Sequence, residues 1–300
     1  MPAAKPGKRY SRSGRAAGRA SVGHGTVITI GGHEDKEGEK RILHEVAGRV
    51  GKGRLVVCTV ASSVPDQLWE TYEPIFRSMG VHHVRHLDIR VREDALEENR
   101  VRVLDDATVV FFTGGDQLKV TSQIGDTPVY DRIREIYEEG GTMAGTSAGA
   151  SVMSETMIVA GEQDATHRIG SELRMAPGLG LIPGVLIDQH FAERGRIGRL
   201  LGAVTQNPRI VGLGIDEDTA GIFSRQRFTV LGSGAVYVLD GRKVSYSNMS
   251  NEDETHTLSA FNVTLHLLSE GDLFDLRKRV PSNRLARALD QGELGPGRKD

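Results

Sequence analysis

From residue 26 the chain repeats one kind of unit: a short β-rich run, a polar or glycine-bearing segment, then an amphipathic stretch of helix length. Such alternation confines it to few architectures, because a helix joining two parallel strands must lie across a face of their sheet. Seven runs read as strands, namely TVITI, RLVVCTV, VRHLDI, ATVVFF, GTMAGT, GVLID and IVGLGID. Helical periodicity marks EKRILHEVAGRV, DQLWETYEPIFRSM and DRIREIYEE between several of them. Beyond residue 222, RFTVLGSGAVYVLDGRKVSYS reads as hairpin-like strands. The expected fold class is therefore α/β, a mainly parallel sheet flanked by helices, with a C-terminal antiparallel β extension.

Composition narrows the function classes. A formal net charge of -2 argues against a nucleic-acid binder, and no run approaches the ~20 apolar residues of a membrane helix. The single cysteine, Cys58, rules out an internal disulfide framework and, within RLVVCTV, reads as a buried strand residue in a reducing compartment. Residues 1–24 carry Lys5, Lys8, Arg9, Arg12, Arg15 and Arg19 with no acid, a basic tail too poor in apolar residues to order itself. A single catalytic domain is expected over 25–280, followed by a C-terminal tail at 281–300.

The segments after the strands carry the chemistry. In open α/β sheets ligands bind beyond the carboxyl ends of the strands, so GGHED, ASS, TGGDQ, SAGAS, QHF and EDT should converge on one rim. Gly145-Thr146-Ser147-Ala148-Gly149 matches the Gly-x-Ser-x-Gly nucleophile elbow, although small residues at such a turn also serve close packing alone. A serine hydroxyl needs a base, and of the ten histidines His190 sits at the end of an apolar strand on the same rim. The acid that would orient it is Asp216, Glu217 or Asp218, and strand alternation does not choose among them. For an oxyanion, the amide of Ala148 and a glycine amide of Gly114 or Gly115 are candidate donors. VHHVRHLD has histidines, yet on a strand His82 and His86 would lie roughly 13 Å apart, too far to share a metal. TIGGHED lacks the ending of a phosphate loop.

Taken together, TGGDQ, GTSAGAS, PGLGLIPGVLIDQHF, the run with Arg194, Arg196 and Arg199, and GIDEDTA resemble, in that order, the serine peptidase family of cyanophycinase and peptidase E. The resemblance spans about residues 26–240, and DQHF with the arginine run favours the cyanophycinase branch over the aspartyl dipeptidase. It implies a sheet of the class I glutamine amidotransferase-like or flavodoxin-like kind. It further implies a triad of Ser147, His190 and Glu217, acting without metal or organic cofactor. The implied substrate is cyanophycin, a polyaspartate with arginine on each β-carboxyl, hydrolysed to β-aspartyl-arginine. Gln117, Asp188, Gln189, Arg194, Arg196 and Arg199 would line its site. A cytoplasmic homodimer is implied as well. The rival readings are an aspartyl dipeptidase or isopeptidase, and a catalytically silent small-ligand binding protein of the same fold.

Overall fold

A computed structural model describes residues 25–160, 173–249 and 257–283. Its strands are β1 Thr26–Ile30, β2 Arg54–Cys58, β3 Val84–Leu87, β4 Ala107–Phe112, β5 Thr142–Thr146, β6 Thr156–Ala160, β7 Arg174–Pro177, β8 Val185–Gln189 and β9 Val211–Ile215. They continue with β10 Thr219–Ser224, β11 Arg227–Gly232, β12 Val236–Asp240, β13 Tyr246–Ser247, β14 Ala260–Phe261, β15 Thr264–Leu268, β16 Leu273–Asp275 and β17 Val280–Ser282. The α-helices are α1 Arg41–Gly48, α2 Pro65–Ser78, α3 Glu98–Arg102, α4 Gln117–Ile124, α5 Pro128–Glu138, α6 Ala148–Ser151 and α7 Ile197–Gln206.

The main sheet has nine strands in the order β17-β16-β11-β10-β1-β5-β4-β2-β3. β3, β2, β4, β5 and β1 run parallel, and β10, β11, β16 and β17 extend them antiparallel. The order β3-β2-β4-β5 is the flavodoxin pattern with the N-terminal β1 in the last place. The parallel strands bury both faces, which is why β4 runs through four consecutive apolar residues, Val109 to Phe112. Val109 and Phe111 join the core under α1 and α2, whereas Val110 and Phe112 join the core on the opposite face with Val120, Ile124, Ile133 and Ile136.

Local chemistry sets the helix starts. Asp116 caps α4 by accepting from the Leu118 amide, and Thr127 caps α5 by accepting from Tyr130 with Pro128 in the first turn. Cys58 is buried, and burial pushes its thiol up to about 12, the behaviour of a core residue. His86 lies on β3, stacked on Trp69 with ring centroids 4.9 Å apart, as a strand reading of that segment requires.

Two details of strand pairing refine the expected fold. The last two of the seven predicted strands do not join the main sheet: β8 and β9 pair in parallel within a second sheet of order β15-β12-β9-β8. The expected hairpin of β11 with β12 is absent too, since β11 pairs with β10 and β16, and β12 with β9 and β15. Gly232 ends β11 at φ 127°, with the Asp218 carbonyl oxygen 2.2 Å from where a Cβ would stand, a conformation and a contact that suit glycine where the chain leaves one sheet for the other. Strand β17 runs Val280–Ser282, and 1–24 and 284–300 lie outside the described residues.

Phe111 is fully buried and its ring lies 4.9 Å from that of Tyr72 and 5.4 Å from that of Phe76. Phe111→Ala is expected to lower the unfolding free energy by about 3–5 kcal/mol. Leu267→Ala, at a residue 62% exposed, is expected to change it by no more than about 0.5 kcal/mol. Equilibrium denaturation of both variants measures the difference.

Candidate active site

β5 ends at Thr146, and Ser147 follows with φ 54° and ψ −117°, a left-handed conformation rare for a residue with a Cβ. Such a backbone costs on the order of 1–3 kcal/mol and persists only where its surroundings hold it. The expected helix beyond it is a single turn, α6, of four residues. Glycine on both sides is a packing requirement, since a Cβ on Gly145 would stand 2.1 Å from the Gly149 carbonyl oxygen, and one on Gly149 would stand 2.3 Å from that of Phe112. Behind the turn, the buried carboxylate of Glu34 accepts from the Thr146 hydroxyl at 2.5 Å and from the Tyr72 hydroxyl, and pairs with Lys36 at 2.9 Å. Burial, followed by the neighbouring Glu34, raises the Tyr72 phenol well above its ordinary value, so the phenol stays a donor.

The end of β1 aligns the remaining parts. The carbonyl of Ile30 accepts the Ser147 amide at 3.0 Å, that of Gly31 the His190 amide at 2.8 Å, and that of Gly32 the Asp218 amide at 2.9 Å. Ser147, His190 and Asp218 all have positive φ, at 54°, 47° and 45°. A Cβ on Gly32, itself at φ 106°, would stand 2.2 Å from the His190 ring.

The side chains then form one hydrogen-bonded line. Ser147 Oγ donates to His190 Nε2 at 2.9 Å, and His190 Nδ1 donates to Glu217 Oε1 at 2.6 Å. With the ring proton held on Nδ1 by the carboxylate, Nε2 presents a lone pair to the serine. Burial lowers the His190 pKa below the ordinary imidazole value and so favours the neutral ring, against the opposing pull of the Glu217 hydrogen bond. Burial pulls Glu217 upward, but the hydrogen bonds from His190 and His33 together outweigh it and hold its carboxyl below the usual range. The other two candidate acids are engaged elsewhere. Asp216 accepts from the Ala192 and Ala235 amides, and Asp218 from the Asp35 amide and the Ser233 hydroxyl. Such a line can remove the hydroxyl proton as an oxygen attacks a carbonyl carbon.

Gly114 lies against Ser147, whose Cβ would be 3.4 Å from a Cβ placed on that glycine. Among the described residues nothing accepts the amide hydrogens of Gly114, Gly115 or Ala148, whereas that of Ser147 is taken by Ile30. Gln117 starts α4 and donates to the Ile158 carbonyl at 2.7 Å. Arg194 is exposed, and its charge contributes to lowering the His190 pKa. Asp188, Gln189 and Arg196 are buried, and Arg199 is half-buried. Asp188 pairs with Arg199 and, at 3.2 Å, with Arg196, while the Gln189 side chain accepts from Ser151 at 2.6 Å. These four point their polar atoms into the protein beneath His190. The sequence places GGHED on the rim but assigns no role to His33 or Glu34 within it. The Gly-Gly pair before two side chains of catalytic or ligating type was the available signal.

Comparison with known proteins places the chain in a family. The profile of peptidase family S51 matches residues 27–231. The cyanophycinase of Trichormus variabilis is 43% identical over 259 residues, covering 85% of this chain and 86% of that protein. The cyanophycinase of Thermosynechococcus vestitus is 40% identical over 261 residues, 85% of this chain and 80% of its own. In fold, a solved peptidase from an acI-B1 actinobacterium superposes with a TM-score of 0.62 at 20% identity, over 84% of this chain and 98% of that one.

Gly32→Ala should push the imbalance onto the imidazole, because a Cβ 2.2 Å from the ring leaves His190 no room in its present position. The expected result is a displaced His190 ring resonance in NMR and a loss of at least about tenfold in turnover, the cost of roughly 1.4 kcal/mol in the barrier. An unshifted ring resonance with full turnover would contradict this packing.

Proposed function

From the premise that the chain belongs to peptidase family S51 and is a serine-type peptidase, we propose that it hydrolyses cyanophycin to β-aspartyl-arginine dipeptides through Ser147, His190 and Glu217. The observation that supports this reading best is the unbroken line from Ser147 Oγ to His190 at 2.9 Å and on to Glu217 at 2.6 Å. The relatives called cyanophycinases, at 40–43% identity over 85% of the chain, support the choice of polymer.

In the proposed mechanism Ser147 Oγ attacks the backbone carbonyl of an aspartyl residue while His190 Nε2 takes its proton. The negative charge that develops on the carbonyl oxygen is met by the amides of Ala148 and of Gly114 or Gly115, the proposed oxyanion donors. His190 then delivers the proton to the leaving amine, giving an acyl-enzyme on Ser147. Water repeats the cycle: His190 takes its proton, the acyl–oxygen bond breaks, and Ser147 recovers its hydrogen. Glu217 keeps the ring in the tautomer that accepts from serine and stabilises the imidazolium formed at each step.

Each unit of the polymer carries a free carboxylate and a guanidinium, so a site needs groups of both signs. The exposed Arg194 is the proposed partner for a carboxylate, and Gln117 for a polar group of the main chain. Asp188, Gln189, Arg196 and Arg199 serve the substrate indirectly in this reading, by fixing the strand end that carries His190. A homodimeric state and a cytoplasmic location belong to the same proposal. None of the helices among the described residues is long and apolar enough to cross a membrane.

Ser147→Ala is expected to reduce dipeptide release from purified polymer by at least about 10³-fold with the folded state intact. Release at the wild-type rate would overturn the mechanism, and rapid cleavage of free aspartyl dipeptides with the polymer untouched would overturn the substrate. Because His190 must be neutral to act as base, kcat/KM should rise with pH. Its midpoint should fall below the ordinary imidazole value, the direction in which burial moves this group. A profile that falls across that range would contradict the assignment of the base.

A further inference from the structure

Glu217 receives two histidines, one on each carboxylate oxygen. His190 Nδ1 donates to Oε1 at 2.6 Å, and His33 Nδ1 lies 2.8 Å from Oε2. The second imidazole has no part in acyl transfer as described. It stands on a left-handed backbone, φ 46°, with its side chain 73% exposed. The two rings meet edge to face with centroids 5.2 Å apart. One ligating atom from each of His33, His190 and Glu217 lies within 4.8 Å of the other two. In a tetrahedral zinc site with bonds of about 2.0–2.2 Å, the ligand atoms stand roughly 3.3–3.6 Å apart. A movement of about an ångström closes that gap, and the exposed His33 side chain is free to make it.

We propose that His33, Glu217 and His190 form a reversible inhibitory site for a nitrogen-seeking divalent transition metal such as Zn²⁺. Two imidazoles and one carboxylate with an open fourth position are the donor set that suits Zn²⁺ or Co²⁺, whereas Mg²⁺ and Ca²⁺ require mostly oxygen. Binding of the ion displaces no protein bond other than the two hydrogen bonds to Glu217. To coordinate through Nδ1, His190 shifts its ring proton from Nδ1 to Nε2. His190 Nε2 thereby changes from acceptor to donor toward Ser147 Oγ and can no longer take the serine proton. The inhibitory effect rests on the reading of His190 as base; the metal site does not.

The test uses the full-length protein, with Zn²⁺ and Co²⁺ as probes. Isothermal titration of wild type with Zn²⁺ should show one site, Co²⁺ should give the visible absorption of a four-coordinate centre, and a chelator should restore dipeptide release. His33→Asn removes the metal-binding nitrogen while keeping a donor for Glu217 and a side chain that tolerates the left-handed backbone. This variant should bind Zn²⁺ and be inhibited by it about 10–100-fold more weakly. Ser147→Ala, which removes no ligand, should bind Zn²⁺ as wild type does. Equal Zn²⁺ affinity in wild type and His33→Asn overturns the proposal. Binding that is lost in His33→Asn, with wild-type turnover indifferent to Zn²⁺, supports the metal site and overturns the assignment of His190 as base.

Discussion

Three consecutive carbonyls at the end of β1, on Ile30, Gly31 and Gly32, hold the site together by accepting the amides of Ser147, His190 and Asp218. Each of those acceptor bonds reaches a different loop: one follows β5 in the main sheet, one follows β8 in the second sheet, and one follows β9. Without them the two sheets would present their loops independently, and a line of hydrogen bonds between side chains would have no common frame. All three amides belong to residues with positive φ, so the same bonds offset the local backbone cost at the points where the side chains must be aimed. Gly31 and Gly32 have to be glycine for this contact to exist: a Cβ on Gly31 would stand 2.0 Å from the Asp216 carbonyl oxygen, and one on Gly32 would meet the His190 ring.

Two buried charged groups stiffen that frame from behind. Glu34 is 2% exposed, yet its oxygens are engaged by Thr146, Tyr72 and Lys36, so the residue preceding the nucleophile is tied to the helix layer through α2. Asp188 is 1% exposed and is engaged by Arg196 and Arg199, which ties β8 to the start of α7. Buried pairs add little net stability, because desolvation offsets the attraction, but removing one partner leaves an uncompensated charge at a cost of about 3–5 kcal/mol. Their value here is positional. Each forces one arrangement of the chain next to a reacting side chain, and the acids at the site divide their work accordingly, with Glu217 alone free to meet the imidazole.

Much of this was legible in the sequence. The strand and helix alternation is written in apolar runs such as ATVVFF, where four consecutive apolar residues, Val109 to Phe112, are buried on both faces, and the small residues around Ser147 announce a tight turn. The partition into two sheets was not legible, because GVLID and IVGLGID look alike whether they join the first sheet or start a second, and only long-range pairing decides. The contribution of GGHED was hidden for a related reason. Its glycines act through contacts with residues about 160 to 190 positions away, and its His33 and Glu34 have meaning only once β1 is placed beside β5 and β10. The arginine run shows the limit of reading charge by type: Arg196 and Arg199 turn inward to Asp188, whereas Arg194 stays exposed, and the spacing in FAERGRIGRL does not distinguish them.

The central claim is that one hydroxyl in this chain is activated by its surroundings. Reaction of the folded protein with a serine-directed phosphonate or sulfonyl fluoride, followed by mass-spectrometric mapping of the adduct, tests it most directly. The account predicts a single stoichiometric adduct on Ser147 that disappears in His190→Ala. Labelling that avoids Ser147, or that proceeds equally without the imidazole, would contradict it.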